Sequence, residues 1–345
     1  MKAAVVREHG GPQVLTYTDV PRPAPHHGDV LVQVTACAVN RLDVWVRLGF
    51  RGRHPLAIEL PRIPGADVCG VVAEIGDDVA AASAIGSRVI LHPSVSCGRC
   101  LYCAQGRDNL CADFATLGVL RDGGYAEFVS VPAADVIPAP AHLDDAHAAC
   151  LPLVTMTAWD MIVSRAELQP GEWVLVQAAG SGVGSAAIQL AKALGARVIA
   201  TASTEAKLQK ARELGADHVI DYSDGFAGEV AEITEGHGAD VVVESVGSRV
   251  FEESIDALAM GGRLTSCGAT EDARVSIDLH LIQGKRASFH FVVMGSRGDL
   301  REALRVIETH RLEPALDRTL TLAEAAAAHE ALEQRAQFGK IALTP

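Results

Sequence analysis

Residues 173–203 decide the fold; they read WVLVQAAGSGVGSAAIQLAKALGARVIATAS. A continuous apolar run at 173–179 gives way to small residues and then to apolar side chains at helical spacing. The small residues are Gly180, Ser181, Gly182, Val183 and Gly184. With a second apolar run at 197–201, this order is typical of a βαβ unit whose turn lets backbone N–H groups approach a pyrophosphate. The stretch predicts a dinucleotide site; a helix-packing turn in another α/β protein is the alternative.

The end of the second predicted strand indicates which dinucleotide binds. NAD-binding proteins usually carry an acid there for the ribose 2′-OH, whereas this strand runs into Thr201, Ala202 and Ser203, with Lys207 close behind. Hydroxyls and a lysine suit the dianionic 2′-phosphate of NADPH. We therefore expect NADPH, with NADH as the less favoured cofactor. Glu205 leaves open the alternative that Lys207 is a solvated residue of a helix surface.

Composition indicates a globular protein of two domains. The chain has 345 residues, of which 49% are hydrophobic, enough for two separate cores. Its formal charge of −13 includes no basic block, so we expect neither nucleic acid nor an anionic membrane as a partner. The N-terminus, MKAAVVREHGG, lacks the apolar core of a secretory signal, and no stretch has the length of a membrane span. We expect a cytoplasmic protein.

The chain divides into a β-rich part and an α/β part. Short apolar or alternating runs fill the first third, which shows no helical period; the runs are 2–6, 15–19, 30–38, 67–75 and 88–91. After Pro170, apolar runs alternate with helical patterns, at 174–177, 198–201, 218–220, 241–244, 263–267 and 288–294. This second part predicts a doubly wound parallel sheet of six strands.

Four cysteines form the pattern C-x2-C-x2-C-x7-C in the loop-rich stretch 94–113: Cys97, Cys100, Cys103 and Cys111. Four thiolates at this spacing can surround one ion tetrahedrally with no open position, which is typical of a structural zinc site. An iron–sulfur cluster and a coincidental group of reduced cysteines are the alternatives. The zinc would order a lobe too small to bury its own core and would take no part in substrate chemistry.

Further phrases of the sequence are Cys37-Ala-Val-Asn40-Arg-Leu-Asp43, Pro64-Gly-Ala-Asp67-Val-Cys-Gly70, Asp122-Gly-Gly-Tyr125-Ala-Glu-Phe128, Leu214-Gly-Ala-Asp217 and Phe338-Gly-Lys340. With the cysteine lobe and the glycine turn, they resemble the medium-chain dehydrogenase/reductase superfamily of zinc-containing alcohol dehydrogenase-like proteins. The resemblance implies a GroES-like, β-rich catalytic domain over 1–153 and 295–345, which contains the cysteine lobe. It implies a Rossmann domain over 154–294.

Departures from that family decide the expected chemistry. Zinc alcohol dehydrogenases of the superfamily carry a catalytic Cys at the position of Asn40, a His-Glu pair at 66–67 and a third ligand near Leu153. Catalytic zinc needs three protein ligands and an open position, so the resemblance implies that this chain has lost the catalytic metal. Cys37 and Cys150 lie near two of these positions and are expected to be buried thiols.

Asn40 with Asp43 instead resembles the zinc-free quinone oxidoreductase and enoyl reductase branch. There the hydride goes to a quinone or a conjugated C=C, and the protein supplies orientation, a dry pocket and a hydrogen-bond donor for the developing oxyanion. The catalytic residues that the resemblance implies are Asn40, Asp43, Trp45 and Thr157, with Asn40 as the expected donor.

The same resemblance implies which residues lie near the substrate and which bind the cofactor. The stretch of Trp45, Arg47, Phe50 and Arg51 is expected at the pocket mouth or in simple packing, and Arg51, Arg53 and His54 could alternatively receive an acidic or thioester substrate. The cofactor-binding residues are, at the nicotinamide half, Thr157, Val246, Cys267, Gly268, Ala269 and Val292; at the 2′-phosphate, Ser203, Lys207 and Tyr222; and, in addition, Lys340. The run 288–294 resembles an edge strand through which relatives pair, so we expect a homodimer.

Three functions are compatible with the sequence. The first is reduction of a quinone or an α,β-unsaturated carbonyl by NADPH, with structural zinc only. The second is zinc-type alcohol dehydrogenase or ketoreductase chemistry, in which a histidine such as His54 or His92 relays a proton. The third is a non-catalytic NADPH-binding protein, because no general acid is evident.

Overall fold

The computed structural model describes residues 1–50, 57–79 and 84–345, so Arg51, Arg53 and His54 lie outside the described residues. The strands are β1 (Lys2–Val6), β2 (Leu15–Asp19), β3 (Asp29–Ala38), β4 (Asp67–Ile75), β5 (Arg88–Leu91), β6 (Ser94–Val95), β7 (Ala115–Thr116), β8 (Phe128–Pro132), β9 (Val136–Pro138), β10 (Trp173–Val176), β11 (Arg197–Ala202), β12 (His218–Asp221), β13 (Ala239–Glu244), β14 (Leu258–Ser266), β15 (Ser288–Phe291), β16 (Leu316–Thr321) and β17 (Lys340–Thr344). The α-helices are α1 (Arg41–Leu48), α2 (Leu101–Ala104), α3 (Asp145–Ala149), α4 (Pro152–Trp159), α5 (Gly182–Ala193), α6 (Glu205–Glu213), α7 (Ala227–Ile233), α8 (Ser248–Asp256), α9 (Leu279–Lys285), α10 (Arg297–His310) and α11 (Ala325–Glu333). Among the described residues, no helix has the length and apolar character that a membrane crossing requires.

The first of two compact units comprises Met1–Leu153 and Glu313–Pro345 and is β-rich, as predicted. Its largest sheet has the order β16-β17-β3-β4-β5-β9, and β8 also pairs with β3. The pairs are antiparallel except for β16 with β17. Val30, Val32 and Val34 of β3 are at most 4% exposed, because alternate residues of the strand face the core.

The second unit, Val154–Leu312, is a doubly wound α/β domain. Its six parallel strands have the order β12-β11-β10-β13-β14-β15, which confirms the predicted sheet. Gly184 lets α5 pack closely after β10, since a Cβ there would lie 2.4 Å from the Ala178 carbonyl oxygen. The strand order reverses between β10 and β13, and ligands of such sheets bind at the carboxyl ends beside this point.

One boundary of the units differs from the prediction. The chain first passes between units at Leu153 and Val154, as expected, but residues 295–312 belong to the second unit. α10 occupies most of this segment and packs against α5, and Ser164 Oγ donates to Asp299 Oδ1. The amphipathic pattern of α10 predicts a helix but does not reveal which sheet its apolar face covers.

The first third of the chain, where no helical period was expected, contains α1 and the one-turn α2. α1 begins directly after Asn40, whose backbone N–H donates to the Asp43 carboxylate at 2.8 Å. Eight residues are too few to display a clear helical period. The available signal was an Asn followed three residues later by an acid, which is a pattern of helix N-termini.

Candidate active site

Three polar side chains meet where β3 ends and where β4 and β17 begin. Asn40 follows β3, Asp67 opens β4 and Lys340 opens β17. Ala38 of β3 lies opposite Asp67 on one side and Ala342 on the other, so strand pairing fixes all three backbone positions. The three residues are at most 5% exposed. We call them the Asn–Asp–Lys cluster.

Hydrogen bonds engage both polar atoms of the Asn40 amide. Its Oδ1 accepts from Lys340 Nζ at 2.5 Å, and its Nδ2 donates to Asp67 Oδ2 at 2.9 Å and to Ala38 O at 3.4 Å. The orientation of the amide follows from its partners, because an ammonium only donates and a carboxylate only accepts. In this arrangement no N–H of the amide is left for a substrate oxygen, so the contacts of Asn40 do not suit the donor role predicted from sequence.

Lys340, a predicted cofactor-binding residue, directs its ammonium into the cluster. Nζ donates to Asn40 Oδ1 and forms an ion pair with Asp67 Oδ2 at 2.9 Å. The other oxygen of Asp67 accepts from the Leu153 N–H at 2.8 Å. Both carboxylate oxygens therefore have donors, as a buried ion pair requires if it is not to destabilise the fold.

A catalytic zinc does not fit this donor set. Asn40, Asp67 and Leu153 are the positions at which the resembling zinc enzymes carry ligands, and hydrogen bonds connect all three here. Leu153 offers an apolar side chain, and an ammonium 2.9 Å from Asp67 would repel a dication. The geometry supports the predicted loss of the catalytic metal site.

Two cysteines near the cluster are thiols. Cys37 and Cys150 are free and fully buried. Burial raises the pKa of Cys150 to about 12 and the pKa of Cys37 well above its ordinary value. Neither is a thiolate at neutral pH, which confirms the prediction of buried thiols.

A second buried network begins at Asp43. Tyr125 Oη donates to Asp43 Oδ2 at 3.4 Å and lies 3.1 Å from His329 Nε2. Since His329 Nδ1 accepts from Arg47 Nε at 3.3 Å, the neutral ring carries its proton on Nε2 and donates to Tyr125. Burial, and then the Arg47 charge, lower the pKa of His329 to about 3 and keep the ring neutral. The donors thus point one way, from Arg47 through His329 and Tyr125 to Asp43.

Asp43 suits a positioning role more than contact with substrate. It is fully buried, and its two oxygens accept from the Gly65 N–H at 3.0 Å and from the Asn40 N–H at 2.8 Å. Burial raises the pKa of Asp43 to about 6, although these backbone donors lower it. The carboxylate fixes the start of α1 and, with it, the backbone of Asn40.

Two residues expected near the substrate are buried elsewhere. Arg47 is fully buried; it donates to Gly10 O and pairs with Glu333 at 2.7 Å, so of its two predicted places, a pocket mouth or simple packing, its contacts fit packing. His92, a candidate proton relay, is 1% exposed and its Nδ1 lies 2.7 Å from Ser94 O. Trp45 packs edge-on against Phe50 with ring centroids 6.2 Å apart.

The four lobe cysteines converge on one point. Their sulfur atoms all lie within 4.8 Å of one another, and Cys97 Sγ is 3.9 Å from Cys103 Sγ. Tetrahedral ligands at a Zn–S distance of about 2.3 Å lie about 3.8 Å apart. Backbone N–H groups of Arg99 and Cys100 lower the pKa of Cys97 to about 6, which favours the thiolate that a metal requires. The donor set fits one structural zinc.

The predicted cofactor residues of the second unit gather at the carboxyl edge of its sheet. The turn 180–184 follows β10, Ser203 follows β11, Tyr222 follows β12, Val246 follows β13, residues 267–269 follow β14 and Val292 follows β15; Thr157 lies on α4. Ser181 Oγ caps α5 by accepting from the Gly184 N–H at 2.9 Å. The N–H groups of Gly182 and Val183 open the helix and have no intrahelical acceptor, so this turn fits a pyrophosphate.

Strand pairing places a carboxylate at the end of β11, where the 2′-phosphate of the cofactor is expected. β11 itself carries no acid at its carboxyl end, but Asp221 of β12 lies directly opposite Ala202. Asp221 Oδ1 accepts from the Ser223 N–H at 2.9 Å and from its hydroxyl at 2.6 Å. Glu205 pairs with Arg212 at 2.8 Å. A carboxylate therefore lies nearer this corner than the sequence indicated, because pairing and not chain order brings Asp221 there.

Glu244 also lies at the carboxyl edge of this sheet, and its role there was not predicted from the sequence. It ends β13; Oε1 accepts from the N–H groups of Val246 and Gly247, and Oε2 accepts from Ser266 Oγ at 3.1 Å. Burial raises the pKa of Glu244. The carboxylate holds the loop that carries Val246 against β14. An acid directly after a buried apolar run was the signal in the sequence.

Two protein-family models match the chain. The model described as the alcohol dehydrogenase GroES-like domain matches residues 26–141, and the model described as zinc-binding dehydrogenase matches residues 182–309. The two matches fall in the first and the second unit, respectively.

Relatives match over nearly the whole chain. The 2-haloacrylate reductase of a Burkholderia species is 33% identical over 99% of this chain and 98% of its own length. The acryloyl-coenzyme A reductase of Metallosphaera sedula is 31% identical over the full length of both chains. A crystal structure of an NAD-dependent alcohol dehydrogenase is 42% identical and superposes over both full chains with a TM-score of 0.95.

Proposed function

The chain belongs to the medium-chain dehydrogenase/reductase superfamily of zinc-type alcohol dehydrogenase-like oxidoreductases, and we propose that it reduces α,β-unsaturated carbonyl compounds or quinones with NADPH and without catalytic zinc. The nicotinamide, when bound, supplies the hydride. The chain's own residues orient the acceptor, exclude water and stabilise the negative charge that develops on the acceptor oxygen.

One observation carries the proposal: the Lys340 ammonium bonds to Asn40 and Asp67, at two of the three positions of the lost zinc ligands. Oxidation of an alcohol by zinc enzymes depends on a Lewis acid that polarises the oxygen. A conjugated acceptor is activated by its own carbonyl, so it needs a hydrogen-bond donor for its oxygen and no metal. The cluster therefore supports a reaction that uses a hydrogen-bond donor and no catalytic metal.

The reductases among the relatives support the same class of acceptor. 2-Haloacrylate and acryloyl-coenzyme A each carry a C=C bond conjugated to a carbonyl, and the proteins named for them match over nearly their full lengths. We extend that class to this chain and leave the group attached to the carbonyl unspecified.

We also propose NADPH as the preferred cofactor. Lys207 lies in the first turn of α6 and Ser203 directly after β11, and a lysine and a hydroxyl at this corner suit a 2′-phosphate. Asp221 opposes a phosphate there, because the hydrogen bonds from Ser223 lower the pKa of its carboxyl and keep it ionised; the proposed preference therefore rests on Lys207 and Ser203.

A spectrophotometric panel tests the proposal. The purified protein is offered NADPH or NADH with enones, an acryloyl thioester and quinones, and NADP+ or NAD+ with primary and secondary alcohols. Turnover of the conjugated acceptors, fastest with NADPH, is the expected result. Turnover of alcohols alone would contradict it, and tight cofactor binding without any turnover would favour a non-catalytic NADPH-binding protein.

Alcohol oxidation is the second candidate, and the 42% identity with an NAD-dependent alcohol dehydrogenase favours it. Without zinc, the hydroxyl proton would have to pass to a protein base. The alcohol arms of the panel separate this candidate from the first.

A further inference from the structure

We infer that Lys340, and not Asn40, is the residue that donates a hydrogen bond to the acceptor oxygen as negative charge develops on it. The inference rests on the proposed function, since it assumes a conjugated carbonyl or a quinone as acceptor. It assigns a catalytic role to a residue that was expected only to bind the cofactor.

The count of donors supports this assignment. An ammonium has three N–H groups; those of Lys340 bond to Asn40 Oδ1 at 2.5 Å and to Asp67 Oδ2 at 2.9 Å. Within the part of the chain that the structure describes, the third has no protein acceptor. The Asn40 amide, in contrast, directs its N–H groups to Asp67 and Ala38. Of the three cluster residues, Lys340 is the one with an N–H to offer.

The ammonium is also held in a fixed direction before any substrate binds. Asp67 is anchored by the Leu153 N–H, and the backbone of Asn40 is anchored by Asp43. A donor that is already oriented in a water-poor site stabilises a developing oxyanion without reorganisation, and loss of one such donor typically lowers kcat by about 100- to 1000-fold. Lys340 is 3% exposed, so its charge is poorly screened by solvent.

The chemical step balances without a metal. The hydride forms a bond to the β-carbon, the C=C electron pair moves to the α-carbon and carbonyl, and the oxygen becomes an enolate that accepts a hydrogen bond from Lys340. The α-carbon then takes a proton from a water molecule, which becomes hydroxide, so the two-electron reduction is complete and Lys340 keeps its proton. When the acceptor is a quinone, hydride addition gives a hydroquinone anion, and its charged oxygen accepts the hydrogen bond from Lys340.

The test compares Lys340→Met and Lys340→Arg with the wild type on a simple enone and on an electron-poor quinone, at saturating NADPH. Lys340→Met removes the charge and is expected to lower kcat on the enone about 100- to 1000-fold. The loss on the quinone should be at least about tenfold smaller, because its product anion is less basic and needs less stabilisation. Lys340→Arg should restore part of kcat, since it keeps the charge and the donors.

Binding of NADPH, followed by fluorescence titration, separates this role from cofactor binding. Kd should change less than about threefold in Lys340→Met. Lys192→Met is the matched control, because Lys192 also pairs with a carboxylate, Asp217 at 2.8 Å, but on the surface; its kcat should equal that of the wild type.

Three outcomes would overturn the inference: equal losses on both acceptors, an unchanged kcat, or a Kd for NADPH raised tenfold with kcat preserved. If the wild type is active and one of these outcomes is found, only the role of Lys340 is refuted. If the wild type is inactive on every conjugated acceptor, the proposed function itself is refuted. If Lys340→Met unfolds because Asp67 is left as an unpaired buried charge, the double variant Lys340→Met/Asp67→Asn removes both charges, and the same comparison between acceptors applies.

Discussion

At the scale of residues, burial and hydrogen bonding separate side chains that position others from side chains that can meet a substrate. Asn40 and Asp43 were predicted as catalytic because the resemblance places polar residues there. The Asn40 side chain instead bonds to Lys340 and Asp67, and Asp43 accepts from the N–H groups of Asn40 and Gly65. Residue type indicates that a side chain can donate a hydrogen bond, but only the fold shows whether its donors are already engaged.

His329→Gln tests the network of Arg47, His329 and Tyr125. In the folded chain the pKa of His329 is about 3, whereas its ordinary pKa is 6.5. Between pH 3 and pH 6.5 the unfolded state therefore binds more protons than the folded state. The stability of the wild type therefore falls as pH drops below 6.5. Gln can accept from Arg47 and donate to Tyr125 but does not titrate. Between pH 7 and pH 5 the wild type should lose up to about 2 kcal/mol more than the variant in urea unfolding.

The raised pKa of Asp43 makes the folded state more stable as pH falls, which is the opposite effect on stability. Because both proteins contain Asp43, its contribution cancels when their pH dependences are compared. An identical pH dependence of the wild type and His329→Gln would show that the ring is not held neutral as described.

Lys207→Glu tests the preference for NADPH. A carboxylate in the first turn of α6 would repel the 2′-phosphate, so Kd for NADPH should rise about 10- to 100-fold while Kd for NADH changes little. Lys210→Glu, one turn further along the same helix, is the control with the same change of charge. Equal losses for both cofactors in Lys207→Glu would refute the assignment of this lysine to the 2′-phosphate.

At the scale of elements, chain order alone predicts much of the cofactor edge, because the carboxyl ends of parallel strands share one edge of the sheet. The turn after β10 and the residues after β13, β14 and β15 could thus be grouped from sequence. Asp221 could not, since it reaches the end of β11 through pairing with Ala202. α1 was missed because eight residues are too short for a periodic pattern.

Cys103→Ser tests the cysteine lobe as a metal-dependent element. Loss of one thiolate should release zinc and lower Tm by roughly 5–10 °C, while folded molecules keep their kcat, because the site is closed to substrate. Leu101→Ala, at an exposed position of the same lobe, should change neither zinc content nor Tm. A Cys103→Ser protein of full stability that lacks zinc would contradict a structural role for the metal.

The edge strand β15 is the proposed site of dimer formation. Phe291 and Val293 are 69% and 74% exposed at this edge of the six-stranded sheet, and unpaired apolar edges are usually covered. We expect the wild type to be a dimer in light scattering and Phe291→Lys/Val293→Lys to be a monomer. Ile85→Lys, equally exposed in the first unit, should leave the dimer intact; a double variant that stays dimeric would place the interface elsewhere.

At the scale of the whole molecule, the sequence predicted both units and the six-stranded sheet but not the contact that defines the chemistry. Lys340 and Asp67 are 273 residues apart, and they meet because β17 and β4 flank β3. No local pattern encodes such a contact. The placement of residues 295–312 was wrong for a related reason: the apolar face of α10 fits either unit until the packing is known.

The most direct test of the whole account is the zinc content per chain of wild-type protein that is active on an enone, measured by mass spectrometry of the metal. We predict one zinc per chain, held by the four lobe cysteines, with full activity. Two zinc ions per chain in the active protein would contradict the account, because the second would have to displace the Lys340 ammonium from Asp67.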